Sequence, residues 1–108
     1  MKDYVQGGTL TEVTDLILLS LYEPRHGYSI IQFVEEVTNG RVLLGAGTLY
    51  GALSSLEQKR DGLKLQSTES TAGKKVYLIT PSGKEAVQTE IDRLHQLIDL
   101  AERISKEI

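Results

Sequence analysis

Cysteine is absent from the 108-residue chain, so neither a disulfide framework nor a thiolate metal site is available, and the absence fits a reducing compartment. Tryptophan is absent too, phenylalanine occurs once, and no aromatic sandwich for a flat ligand stands out. The two histidines, His26 and His95, are too few and too far apart in the chain for a metal cluster. No apolar run reaches the roughly eighteen residues a membrane span needs, and the start MKDYVQGG lacks the basic residues and apolar stretch of a signal peptide. No nucleophile, base and orienting group recur at a useful spacing, which argues against an enzyme. The expectation is a soluble, cytoplasmic, non-enzymatic protein with no metal and no cofactor. Its length allows one modest core and an extra helix, not two full domains.

Negative charge is in slight excess, at a net −3, but its distribution is uneven. Residues 41 to 84 carry seven Lys and Arg against three acids, while the segments before and after are acidic, at −4 and −3. A basic centre between acidic ends is a local footprint for a polyanion that the net charge conceals. A solvated surface would show the same numbers, so charge alone does not decide.

The apolar periodicity supplies the elements. Thr9 or Thr11 caps a helix running to about Tyr22, where Glu23-Pro24 stops it, and Leu10, Val13, Leu16, Ile17, Leu18, Leu19 and Leu21 leave it little polar face. A second helix fits Tyr28 to Thr38 and ends at Asn39-Gly40. A third fits Gly47 to Arg60, with Leu49, Leu53 and Leu56 on one stripe. Leu63 to Ser67 and Lys75 to Ile79 alternate or are β-branched about a turn at Ser70-Thr71-Ala72-Gly73, which predicts a hairpin with Lys74 and Lys75 at its tip. Thr80-Pro81 then opens a long final helix. The predicted class is mainly α with a small β-hairpin: a winged helix-turn-helix over residues 1–80 and a C-terminal dimerisation helix over 81–108.

The glycines of GAGTLYG, Gly45 to Gly51, admit two readings, a phosphate-binding turn of a dinucleotide fold or the opening of a DNA-reading helix. The first needs strands on both sides in a parallel sheet. The chain places helices before these glycines and a single hairpin after them, which favours the second. In a winged helix-turn-helix the third helix enters the major groove and the wing reaches the adjacent backbone.

The run LTEVTDLILLSLYEPRHGYSIIQFVEEVTNGRVLLGAGTLYGALSSLE, Leu10 to Glu57, resembles the PadR family of transcriptional regulators, as does YLITPSGKEAV, Tyr77 to Val87. His26-Gly27-Tyr28, Gly47-Thr48-Leu49-Tyr50 and Leu78-Ile79-Thr80-Pro81-Ser82-Gly83 are the most specific pieces. The resemblance implies a homodimeric repressor of the short type, whose single C-terminal helix carries the dimer contacts. It also implies that some relatives respond to phenolic acids or flat hydrophobic drugs bound near the dimer interface; this sequence names no ligand, and Tyr4 with the leucines of the first and last helices is its candidate pore lining. Two departures are the longer Gln58-Lys59-Arg60-Asp61-Gly62-Leu63 segment, which alters helix length or wing angle, and Ala46, where proline is common.

The candidate DNA-binding residues are Tyr28, Ser29, Arg41, Thr48, Tyr50, Gly51, Ser54, Lys74 and Lys75. Tyr28 and Ser29 open a helix whose N-terminus favours an anion. Gly47, Gly51, Ser54, Ser55 and Gln58 lie opposite the leucine stripe, with Thr48 and Tyr50 on its shoulders. This face has no Arg for bidentate guanine readout, so shape and water bridging would contribute to discrimination. Lys74 and Lys75 on the wing, assisted by Arg41 or Lys59, are phosphate contacts or ordinary surface charges. Tyr50 is a packing aromatic or a phosphate or sugar contact, and the resemblance favours the contact. His26 caps or packs at a turn; His95 is exposed or at the dimer contact.

Val87, Ile91, Leu94, Leu97, Ile98, Ala101 and Ile104 form the candidate dimer interface, a stripe at near-heptad spacing along the last helix. Folding back on its own domain would cover part of it, but two chains burying it mutually is the better reading. Two-fold symmetry would then place two third helices on a double-stranded, pseudo-palindromic operator. The alternative from another class is a winged-helix protein-interaction module that binds no operator.

Overall fold

A computed structural model describes residues 11–59, 62–70 and 72–106. The elements are α1 (Glu12–Ser20), α2 (Gly27–Val37), α3 (Ala46–Leu56), β1 (Leu65–Glu69), β2 (Lys75–Ile79) and α4 (Pro81–Lys106). The mainly helical class with one antiparallel hairpin is the one predicted. Tyr4, Thr9, Leu10 and Arg60, named above, lie outside the described residues.

Local chemistry explains most boundaries. Thr11 caps α1, its hydroxyl accepting the Thr14 N–H at 3.1 Å. His26 caps α2 through Nδ1, which accepts the Ser29 N–H at 3.4 Å. Asn39 and Gly40 adopt positive φ after α2, and the Gly40 N–H returns to the Glu35 carbonyl at 2.8 Å. Thr80 begins α4, accepting the Gly83 N–H at 3.0 Å while donating to the Leu63 carbonyl at 2.6 Å.

Three boundaries differ from the expectation. Helix α1 ends at Ser20, not Tyr22, and Leu19 and Tyr22 stay on the surface although the helix is otherwise central. Helix α3 stops at Leu56, short of Arg60. The chain doubles back there: the Lys64 N–H reaches the Leu56 carbonyl at 2.8 Å, the Leu63 N–H reaches the Gln58 carbonyl at 3.0 Å, and Gly62 and Leu63 take positive φ. The first strand is correspondingly shifted to Leu65–Glu69.

The hairpin runs in register from Leu65 opposite Ile79 to Glu69 opposite Lys75. An isolated antiparallel bridge between Arg25 and Tyr77 pins the α1–α2 connection to β2. The core gathers Ile17, Leu18 and Leu21 of α1, Ile30 and Val34 of α2, the α3 stripe Leu49, Leu53 and Leu56, and Leu65, Tyr77 and Ile79 of the hairpin. Burying these side chains is the main favourable contribution to the fold, each worth roughly 1.5–3 kcal/mol before the entropy of ordering the chain is subtracted.

Val87 belongs to this core at 5% exposure, which corrects its assignment to the dimer stripe. The first turns of α4 lie on the body, so Val87 is already covered by its own chain. Beyond Glu90 every described residue of α4 except Arg93 is exposed. At about 1.5 Å per residue the 26-residue helix is about 39 Å long.

Where α4 leaves the body, two acids meet. Glu90, 5% exposed, is held by Arg93 through contacts of 3.0 and 2.6 Å. Asp15 of α1 faces it, and burial, then the charge of Glu90 and a hydrogen bond with it, push the Asp15 carboxyl up to about 7.

Candidate nucleic-acid interface

The leucine stripe of α3 turns its opposite face outward. Gly47, Thr48, Tyr50, Gly51, Ser54 and Ser55 are all exposed. A Cβ built at Gly47 or Gly51 would meet nothing within 4 Å, so no contact among the described residues requires those glycines. Each costs a helix up to about 1 kcal/mol relative to alanine. What they provide is a low surface on which another molecule can approach the helix backbone.

Beside this face lies a concavity of about 560 Å³ lined by His26, Gly27, Tyr28, Tyr50, Lys74, Lys75 and Tyr77. Four predicted residues, Tyr28, Tyr50, Lys74 and Lys75, thus converge from three elements: the start of α2, the second turn of α3 and the wing. The wing tip is preorganised. The Ser70 hydroxyl accepts the Ala72 and Lys74 N–H groups, both at 3.3 Å, and Gly73 takes φ +79°. Lys74 and Lys75 are exposed there, available to a polyanion.

Wing and α3 are tied at their base, because the Ser67 hydroxyl donates to the Glu57 carboxylate just after α3 ends. Tyr77 is 4% exposed beneath the concavity, and burial, then Tyr50 and Glu57, hold its phenol above the ordinary tyrosine range. It is a floor, not an acid.

The other predicted residues are placed differently. Thr48, Gly51 and Ser54 lie on the open α3 face, outside the concavity. Ser29 turns toward the neighbouring groove, its hydroxyl accepting from Arg25 Nη1 at 3.1 Å. Arg41 is not part of the cluster: its guanidinium pairs bidentately with Glu12 of α1 and holds that carboxyl below its usual range. The formal charge of Arg41 was visible in the sequence; its partner, 29 positions away, was not. Gly27 and Tyr77 went unread as site residues, although His26-Gly27-Tyr28 had stood out as a motif.

Three helices with a hairpin wing and a projecting final helix define the winged helix-turn-helix class. Residues 16–89 match the family described as "Transcriptional regulator PadR-like family". Solved structures show the same fold: a transcriptional regulator from Clostridium thermocellum at TM-score 0.72 and 22% identity, covering 84% of this chain and 87% of that one. A PadR family transcriptional regulator from Eggerthella lenta gives 0.70 and 24% over 85% and 80% of the two chains. A PadR family transcription regulator from Clostridium difficile gives 0.67 and 22% over 87% and 98%. An uncharacterised 37.1 kDa protein in transposon TN4556 of Streptomyces fradiae is 35% identical over 83 residues, 76% of this chain but only 23% of that relative. The chain belongs to the PadR-like family of transcriptional regulators. No described helix is long and apolar enough to cross a membrane.

Proposed function

We propose that the chain is a homodimeric repressor that binds a pseudo-palindromic operator through its winged body, up to about residue 80, and pairs through the helix that follows. The observation that carries the DNA-reading half is the outward face of α3. Its glycines Gly47 and Gly51 serve no packing among the described residues, and it is flanked by Tyr28, Tyr50 and the wing lysines on one side of the molecule. In this arrangement α3 enters the major groove while Lys74, Lys75, Tyr28 and Tyr50 hold the adjacent phosphates. Thr48 and Ser54 offer hydroxyls to base edges or bridging water, which gives moderate direct readout supplemented by DNA shape.

The dimer half rests on α4. Ile91, Leu94, Leu97, Ile98 and Ile104 are 38% to 53% exposed along the far part of α4, and Ala101 is exposed among them. Such a stripe is covered by a second copy of itself when a two-fold axis runs beside it. Repression is steric, by occupation of an operator that overlaps a promoter. A small hydrophobic or phenolic effector seated near the dimer interface relieves it by changing the angle between the two winged bodies.

The test is titration of the purified protein against duplex DNA from upstream of its own gene and against a scrambled duplex, across a salt series. Specific binding that weakens steeply with salt supports the reading. Equal affinity for both duplexes, or none for either, rejects it and leaves the interaction-module alternative.

A further inference from the structure

Gly27 is the first residue of α2 and is buried, yet no positive φ or turn demands a glycine there. An ideal Cβ at this position would lie 2.1 Å from the Tyr50 hydroxyl oxygen, 2.8 Å from Cζ and 3.3 Å from Cε1. The tip of the Tyr50 ring therefore occupies the volume that any other residue at 27 would fill. Tyr50 is nonetheless half exposed, at 50%, so its tip is located while much of its ring stays open to an approaching molecule. The seat lies inside the concavity that also holds Tyr28, Lys74 and Lys75, and a phenol hydroxyl and two ammonium groups are hydrogen-bond donors of the kind an anion takes.

We infer that Gly27 is a positioning residue for DNA binding: by having no side chain it lets α2 seat the Tyr50 hydroxyl beside the wing lysines, where all three converge on the DNA backbone. This rests on the DNA-binding reading above and adds to it a residue that itself touches no DNA. A tyrosine free to swing would lose part of its contact to the entropy of being ordered on binding; a seated one has lost that freedom already. A methyl group at 27 collides with the far end of a side chain, not with backbone, so the ring swings out and the helices stay in place.

The test is a double-mutant cycle with operator affinity and thermal melting as readouts. Gly27→Ala should leave the melting temperature unchanged or slightly raised, because alanine is the better helix former. It should weaken operator binding about tenfold, roughly the worth of one hydrogen bond to a charged acceptor, at an unchanged salt slope. Tyr50→Ala should lose about as much, and the double variant no more than either single one. Tyr50→Phe keeps the ring and the fold while removing only the hydroxyl. It should show the same loss, and it carries the test should Gly27→Ala fail to fold. Additive losses in the cycle, full affinity in Gly27→Ala, or full affinity in Tyr50→Phe would overturn the positioning role while leaving operator binding by the wild type intact. A wild type that does not prefer the operator to the scrambled duplex overturns the DNA reading and this inference with it.

Discussion

Lys74 and Lys75 sit exposed on a turn held by the Ser70 hydroxyl, so replacing them disturbs little of the fold. Lys74→Ala with Lys75→Ala should weaken every DNA sequence alike and reduce the magnitude of the salt slope by up to about two. Unchanged slope and affinity would remove the wing from the interface. Ser54 poses the complementary question on the groove face. Ser54→Glu points a carboxylate at the DNA from a position the core does not use; binding should fall at least tenfold with the melting curve unmoved, since like charges repel at close approach. Retained affinity would mean that this face does not meet DNA. At this scale the sequence was informative wherever a residue's role depends on its neighbours along one element, as for the outward Thr48, Gly51 and Ser54. It was silent where the partner is distant. Glu12 takes Arg41, and Tyr50 takes the space above Gly27; neither pairing leaves a periodic trace.

The elements themselves were largely legible, because caps, apolar period and turn residues act locally. Thr80-Pro81 marked the start of α4, Asn39-Gly40 the end of α2, and the leucine stripe the inward side of α3. The end of α3 was not, since it is set by the backbone returning from Lys64 to Leu56 and by Ser67 bonding to Glu57, contacts that require the hairpin to be in place. Val87 illustrates a second limit: spacing shows which residues share a face of α4 but not how far the body covers that face. The junction of α4 with the body is tight. A Cβ at Gly83 would lie 2.1 Å from the Lys64 carbonyl oxygen, so Gly83→Ala must push the first turn of α4 off the start of β1. A cost of about 2 kcal/mol is expected, read as a lowered melting temperature in circular dichroism. An unchanged melt would show that the junction gives way freely.

The same junction makes stability depend on pH. Asp15 titrates near 7 in the folded chain against an ordinary value of 3.8, so the fold favours its protonated form. The stability this contributes is complete below about 4 and is lost as pH rises through about 7. Asp15→Asn should therefore melt higher than the wild type at pH 8, by on the order of 1 kcal/mol once solvent screening is allowed for, with the difference closing toward pH 4. A difference that is constant with pH would show that Asp15 titrates normally beside Glu90 and Arg93.

At the scale of the whole molecule, one winged body and a helix half free of it make an incomplete object. The apolar stripe from Ile91 to Ile104 has no cover among the described residues; in the proposed dimer a second copy would cover it, and the two-fold axis would turn one DNA-reading helix into a pair. Opposite charges at the middle of the stripe, Leu94→Lys with Ile98→Glu, place ions where the partner chain would have to desolvate them. The melting of the winged body should survive, because neither residue is part of the core. Operator affinity should fall roughly a hundredfold or more, since one half-site no longer holds the other close. The deciding measurement is sedimentation equilibrium of the wild type and this double variant, each alone and with operator duplex. Two chains per particle and two per duplex are predicted for the wild type, and a single chain with little DNA bound for the variant. A variant that still sediments as a dimer and occupies the operator as the wild type does would contradict dimerisation through α4.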